Sequence, residues 1–223
     1  MSSLLPRTIA VDGGHVSALL LLPDQPRAIL ALAHGAGAGM RHPFMEAVSQ
    51  GLASKEIATL RYQFPYMEKG LGRPDSPAVA TAAVRSACEL ARAEFPELPL
   101  LAGGKSFGGR MTSTAQAESP LAGVRGLVFL GFPLHPPKRP GITRAEHLAS
   151  VRVPMLFLQG TRDDLADLEL IQDVTGKLGA IATLHIVEGA NHSFAVLKRS
   201  GRPADQVLEE LAETTASWFT GLP

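Results

Sequence analysis

The chain has 223 residues, is 45% hydrophobic and balances 21 basic against 21 acidic side chains. Its length and apolar content suit one globular domain over 1–223 with a substantial core, and a formal charge of zero argues against nucleic acid or an anionic membrane surface as a partner. A single cysteine, Cys88, excludes an intramolecular disulfide framework and a cysteine metal cluster, so a reducing cytoplasm is the expected home.

The opening stretch, MSSLLPRTIAVDGG, has neither a basic start nor a long apolar core. No window reaches the roughly 18 apolar residues of a membrane span, so a soluble, unexported protein is expected. Two apolar runs follow, VSALLLLP (16–23) and AILALAHG (28–35). Only DQPR separates them, too little for a crossover helix, and the spacing predicts a hairpin. From there helical periods at 43–54, 77–95, 107–117, 164–178 and 204–220 alternate with short apolar runs at 57–64, 98–104, 124–131, 154–160 and 182–189. In the last helix Val207, Leu208, Leu211, Thr215 and Trp218 recur at helical spacing while Glu209, Glu210 and Glu213 supply a wet face. It is expected to dock through Leu211 and Trp218. The alternation predicts an α/β fold, a mainly parallel central sheet with helices on both faces. PLHPPKRPG (133–141) is the proline-rich stretch and reads as a rigid surface loop.

The segment LLAGGKSFGGRMT (100–112) puts one serine among four glycines, after a strand and before a helix. A G-x-S-x-G turn at such a junction lifts the serine hydroxyl above the sheet, and side chains two residues either side would collide, which is why Gly104 and Gly108 carry none. Serine is a weak nucleophile until a base takes its proton, so Ser106 requires a histidine oriented by a carboxylate. On this kind of sheet both are expected on loops after later strands, acid before histidine. QGTRDD places Asp163 just past one strand and EGANHSF places His192 just past the next. Asp164 is the alternative acid, but it stands where the N-cap of the 164–178 helix is expected.

A developing oxyanion needs waiting N–H groups. Phe107 N–H, directly after the serine, is one candidate. Ala36 N–H, in HGAGAGM (34–40) after an earlier strand, is the other. No histidine pair has H-E-x-x-H or other metal-ligand spacing, so neither a metal nor a cofactor is expected. Lys105 and Arg110 flank the serine at a helix N-terminus, where cations oppose the macrodipole. A structural ion pair is expected to compensate them, with an anionic ligand group as the alternative.

Together these blocks resemble the α/β-hydrolase superfamily, in particular its small lidless members similar to dienelactone hydrolases. HGAGAGMRHPFM, GGKSFGGRM, GFPLHPP, QGTRDDLAD and GANHSF follow, in order, the pattern of a branch that includes a testis-expressed protein and a chromatin-complex subunit. The resemblance implies an eight-stranded sheet, or one lacking its first strand, with Ser106 as nucleophile, Asp163 as acid and His192 as base. Dienelactone hydrolases proper use cysteine where this chain has serine, so their substrate is not carried over. Only about 19 residues lie between Leu134 and Pro154, where relatives insert a helical lid, and an open cleft suits small, soluble esters. The expected activity is a serine hydrolase acting on carboxylic esters. A non-catalytic binding or scaffold protein is the alternative, and thioesterase or peptidase action shares the mechanism.

Overall fold

The structure, a computed structural model, describes residues 2–222. Eight strands, β1 (Ser3–Val11), β2 (Gly14–Leu22), β3 (Ala28–Ala33), β4 (Ile57–Tyr62), β5 (Leu100–Lys105), β6 (Val124–Leu130), β7 (Met155–Arg162) and β8 (Ala182–Asn191), form one sheet in the order β1-β2-β4-β3-β5-β6-β7-β8. The pairs β1–β2 and β2–β4 are antiparallel and every other pair is parallel. Six α-helices accompany them: α1 (Pro43–Ser54), α2 (Pro65–Glu68), α3 (Pro77–Glu94), α4 (Phe107–Glu118), α5 (Leu168–Leu178) and α6 (Ala204–Thr220).

The hairpin predicted between 16–23 and 28–35 does not form, because β4 inserts between β2 and β3. Stepping over one strand covers only about 10 Å, a distance that residues 23–27 span easily when extended. A short link therefore does not dictate pairing. The true hairpin is β1–β2, closed by Asp12 and Gly13, where Gly13 takes φ +80°. A glycine at the second central position meets the positive φ that such a turn requires. β1 was not foreseen; its Pro6 is tolerated because β1 is an edge strand.

The strands β3 and β4 are buried at every position, as a sheet covered on both faces requires. Ala80, Ala83, Val84, Ala87 and Cys88 of α3, Met111 and Ala115 of α4 and Ile171 of α5 close one face. Met45, Val48 and Leu52 of α1 with Val207, Leu211 and Ala212 of α6 close the other. Leu211 is buried, and Trp218 lies over Gly126 so closely that a Cβ there would sit 2.6 Å from its ring. Lys55, which caps the carboxyl end of α1, reaches both Glu209 and Glu213 of α6 at 2.6 Å. Among the described residues no helix is long and apolar enough to cross a membrane.

A second correction concerns α5, which starts at Leu168 rather than 164, with Asp167 as its N-cap accepting from Glu169 and Leu170 N–H. Residues 163–166 instead form a turn closed by Ala166 N–H on Asp163 O. The turn that fixes Asp163 occupies the residues expected to begin the helix.

Candidate active site

Ser106 stands between the last residue of β5 and the first of α4 with φ +50° and ψ −113°. A non-glycine residue in that region is strained by about 1–3 kcal/mol, and the surroundings hold it there. Ser106 N–H donates to Leu130 O on β6, and Ser106 O accepts from Arg110 N–H. The two glycines are required for contact with β3 rather than with each other alone. A Cβ on Gly104 would sit 2.4 Å from Ala33 O, and one on Gly108 2.6 Å from His34 O.

Asp163 directly follows β7 and His192 directly follows β8, each strand running two residues beyond its predicted end. The structure brings both to Ser106. His192 Nε2 lies 2.8 Å from Ser106 Oγ, and Nδ1 lies 2.9 and 2.8 Å from the two Asp163 oxygens. A carboxylate only accepts, so Nδ1 carries the proton and Nε2 accepts from the serine hydroxyl. The Asp163 side chain is fully buried and its oxygens also accept from Leu165 N–H at 2.9 Å and from Gln159 Nε2 at 2.5 Å. Asp164 is exposed. A tight turn at 191–195 carries His192: Asn191 Oδ1 accepts from Ser193 and Ala195 N–H, and Phe194 stacks on Phe44 of α1 at 5.6 Å.

Ser106 and His192 open onto a cavity of about 330 Å³ whose other walls include Gly35, Ala36, Phe44, Met45, Lys105 and Leu165. A larger depression of about 510 Å³, lined by Asp24, Gln25, Gln50 and Glu56, lies at the amino ends of β3 and β4, away from these residues. In the HGAGAGM loop the N–H groups of Gly37, Ala38 and Met40 are engaged by Tyr66 Oη, Gly35 O and Gln63 Oε1. Among the described residues Ala36 N–H has no acceptor. Phe107 N–H, the first of α4, has no intrahelical acceptor either. Both expected donors are thus uncommitted among the described residues; Ala36 lines the cavity and Phe107 directly follows Ser106.

Residues that sequence reasoning passed over hold this arrangement. His34 is fully buried, its Nδ1 2.8 Å from Gly35 O and its Nε2 accepting from Phe64 N–H at 3.1 Å. Burial pushes its pKa down to about 4, so the ring is neutral and pins the start of the HGAGAGM loop to the residues after β4. Gln159 ties Asp163 to Phe132 N–H. Each is a polar residue within an apolar run, and that anomaly was the available signal.

The ion pair expected for Lys105 and Arg110 is absent: among the described residues no carboxylate lies at ion-pair distance from either. Arg110 lies over the Phe107 ring at 6.0 Å. Lys105 turns into the cavity, its Nζ 3.2 Å from His192 Nε2 and 5.7 Å from the centre of the Phe194 ring. Burial pulls its pKa down to about 8, with Asp163 acting in the opposite direction.

The segment between β6 and β7 does not cover the cavity. Its 3-10 stretch Thr143–Ser150 packs through Ala145 and Leu148, and His147 meets Ser113 of α4 at 2.7 Å. Nor does the 66–77 loop reach the cavity; its Asp75 accepts from Tyr66 N–H.

Comparison with known proteins agrees with this architecture. The model of the family described as "Alpha/beta hydrolase domain" matches residues 26–220. Among solved structures, a dienelactone hydrolase from Anabaena variabilis superposes with a TM-score of 0.78 at 21% identity, covering 99% of this chain and 98% of that one. A lidless serine hydrolase from Xanthomonas campestris gives 0.75 at 21% identity, covering 100% and 95%. A protein of Mycobacterium tuberculosis named "Putative phosphoribosyl transferase" is 28% identical over 208 residues, 92% of this chain but 43% of the relative. The chain thus spans less than half the length of the curated relatives it matches. With the family model covering nearly all of it and the fold that of lidless, dienelactone-hydrolase-like proteins, this chain belongs to the alpha/beta hydrolase family.

Proposed function

We propose that this chain is a serine hydrolase that cleaves small, soluble carboxylic esters with Ser106 as nucleophile, His192 as base and Asp163 as orienting acid. The observation that carries this reading is the unbroken hydrogen-bonded line from Ser106 Oγ through His192 to the buried Asp163 carboxylate, at the wall of a cavity. Ser106 Oγ attacks the ester carbonyl while Nε2 takes its proton, and the imidazolium that results is stabilised by Asp163. The carbonyl oxygen, now negative, receives Phe107 and Ala36 N–H. Collapse breaks the acyl C–O bond, and the departing alcohol takes the proton from Nε2. Water, deprotonated by the same nitrogen, then releases the acid and restores Ser106.

The transferase name of the mycobacterial relatives is not carried over, since the aligned region is less than half of those proteins. The test is labelling with a fluorophosphonate followed by peptide mapping, with p-nitrophenyl butyrate hydrolysis alongside. Label on Ser106 is expected, and Ser106→Ala is expected to lower turnover by at least about 10⁴-fold at an unchanged melting temperature. An unlabelled Ser106, or equal rates in the two proteins, would leave the chain a binding or scaffold protein of hydrolase shape.

A further inference from the structure

Among the described residues Lys105 Nζ has no carboxylate at ion-pair distance, although Asp163 lies close enough to favour its charge. Its one polar neighbour is His192 Nε2, and a neutral imidazole with Nδ1–H on Asp163 has a single lone pair there, which Ser106 holds at the shorter distance of 2.8 Å against 3.2 Å. The remaining contact of the ammonium is the face of Phe194. The space it occupies is kept open by Gly131, which takes φ +68° and where a Cβ would sit 3.1 Å from Nζ and 3.5 Å from both Asp163 Oδ2 and His192 Cε1. A partly buried ammonium with no carboxylate at direct ion-pair distance, in the wall of the cavity that holds Ser106, is a recognition element awaiting an anion.

We propose that Lys105 forms an anion subsite, and that the preferred substrates are esters carrying a free carboxylate two to three methylenes from the scissile carbonyl. The proposal rests on the serine hydrolase reading of the same cavity. The geometry bounds the spacing: Nζ and Ser106 Oγ flank one ring nitrogen and so lie within about 6 Å of each other. A carbonyl carbon about 3 Å from Oγ and a carboxylate oxygen about 2.8 Å from Nζ are then bridged by a chain of succinyl to glutaryl length. The cavity, about 330 Å³, is at the small end for ligand sites and accommodates such an acyl group. The carboxylate does a second thing. When Nε2 takes the serine proton, an imidazolium forms beside an ammonium, and an anion seated on Lys105 offsets that repulsion in the transition state. A neutral ester supplies no such charge. The reaction is ordinary hydrolysis: the acyl C–O bond of a half-ester breaks, water adds, and a dicarboxylate, an alcohol and a proton leave.

The experiment compares monomethyl glutarate with methyl pentanoate, following methanol release in wild type, Lys105→Met and Lys105→Gln. Wild type is expected to favour the half-ester in kcat/KM by tenfold or more. Both variants are expected to reduce that ratio at least tenfold, mainly through KM for the half-ester, while Lys105→Arg keeps part of it. A ratio that is the same in wild type and in folded variants overturns the subsite. Binding of monomethyl glutarate to Ser106→Ala by calorimetry supplies an arm independent of turnover, and adding Lys105→Met should weaken it at least tenfold. Unchanged binding also overturns the proposal. If Ser106 takes no fluorophosphonate and neither ester is cleaved, the hydrolase reading falls, and the calorimetric arm alone decides whether Lys105 holds a carboxylate.

Discussion

Asp163 and Asp164 are chemically identical neighbours in opposite surroundings. One is buried and accepts from His192, Gln159 and Leu165, the other is exposed. Asp163→Asn leaves an amide against Nδ1, where an N–H cannot accept the histidine proton and the ring is turned toward the wrong tautomer. Turnover of p-nitrophenyl butyrate is expected to fall by about 10³–10⁴-fold in Asp163→Asn and by less than about twofold in Asp164→Asn. The reverse ranking would move the acid to Asp164. The sequence pointed to Asp163 by its place after a strand, and that signal is physical, because loops at the carboxyl ends of parallel strands converge on one edge of the sheet. The further reason, that Asp164 caps a helix, was wrong: Asp167 is the cap. Lys105 was legible as a cation beside Ser106, but whether a carboxylate answers it depends on contacts across the fold that a linear pattern does not contain.

At the scale of elements, periodicity placed five helices and seven strands because each buries a repeating face, and those faces are what the sheet covers. Pairing was harder to read. The link between β2 and β3 tolerates either adjacency or a step over one strand, whereas Asp12-Gly13 specified the β1–β2 hairpin through turn chemistry that went unread. The length of the segment between β6 and β7 was informative, and its packing adds the reason. Phe132, Leu134, Leu148 and Val151 are buried, so the segment is occupied in closing the core and is not free to fold over Ser106. Among p-nitrophenyl esters, acetate to hexanoate are therefore expected to have higher kcat/KM than dodecanoate. Each methylene left in water forgoes roughly 0.8 kcal/mol of burial, so chains that outgrow the cavity gain no transition-state binding. A monotonic rise out to dodecanoate, measured below the critical micelle concentration, would require a cover, and the 66–77 loop would then have to leave its Tyr66–Asp75 anchorage.

For the whole molecule, burial of titratable groups sets how stability follows pH. His34 and His147 are held to pKa values of about 4, mainly by burial, against 6.5 when free. Between those values the unfolded chain binds the protons and the fold does not, so their contribution is complete above about pH 6.5 and drains away as pH falls toward 4. Urea unfolding is expected to show a loss of about 2 kcal/mol from His34, and less from the more accessible His147, between pH 7 and 4.5. His147→Asn should make the fall shallower. Lys105 acts in an alkaline window. Its pKa of about 8 lies below the 10.5 of a free lysine, so from pH 8 to 10.5 the unfolded chain again holds the extra proton and stability rises with pH. Below pH 8 the fold carries a desolvated ammonium at a cost of about 1–3 kcal/mol. Asp163 and His192 are the titratable groups facing it: the Asp163 carboxylate lies beyond ion-pair distance, and His192 Nε2, at 3.2 Å, carries no negative charge to offset the ammonium. Lys105→Met is therefore expected to be more stable than wild type at pH 7, with the difference closing by pH 10.5. In a Ser106→Ala background, which cannot turn the ester over, a fixed concentration of monomethyl glutarate should narrow the pH 7 difference by stabilising the protein that keeps Lys105 more than the one that carries Lys105→Met. A Lys105→Met protein no more stable than wild type at pH 7 would mean that the ammonium is already satisfied inside the fold, with nothing left to offer a substrate.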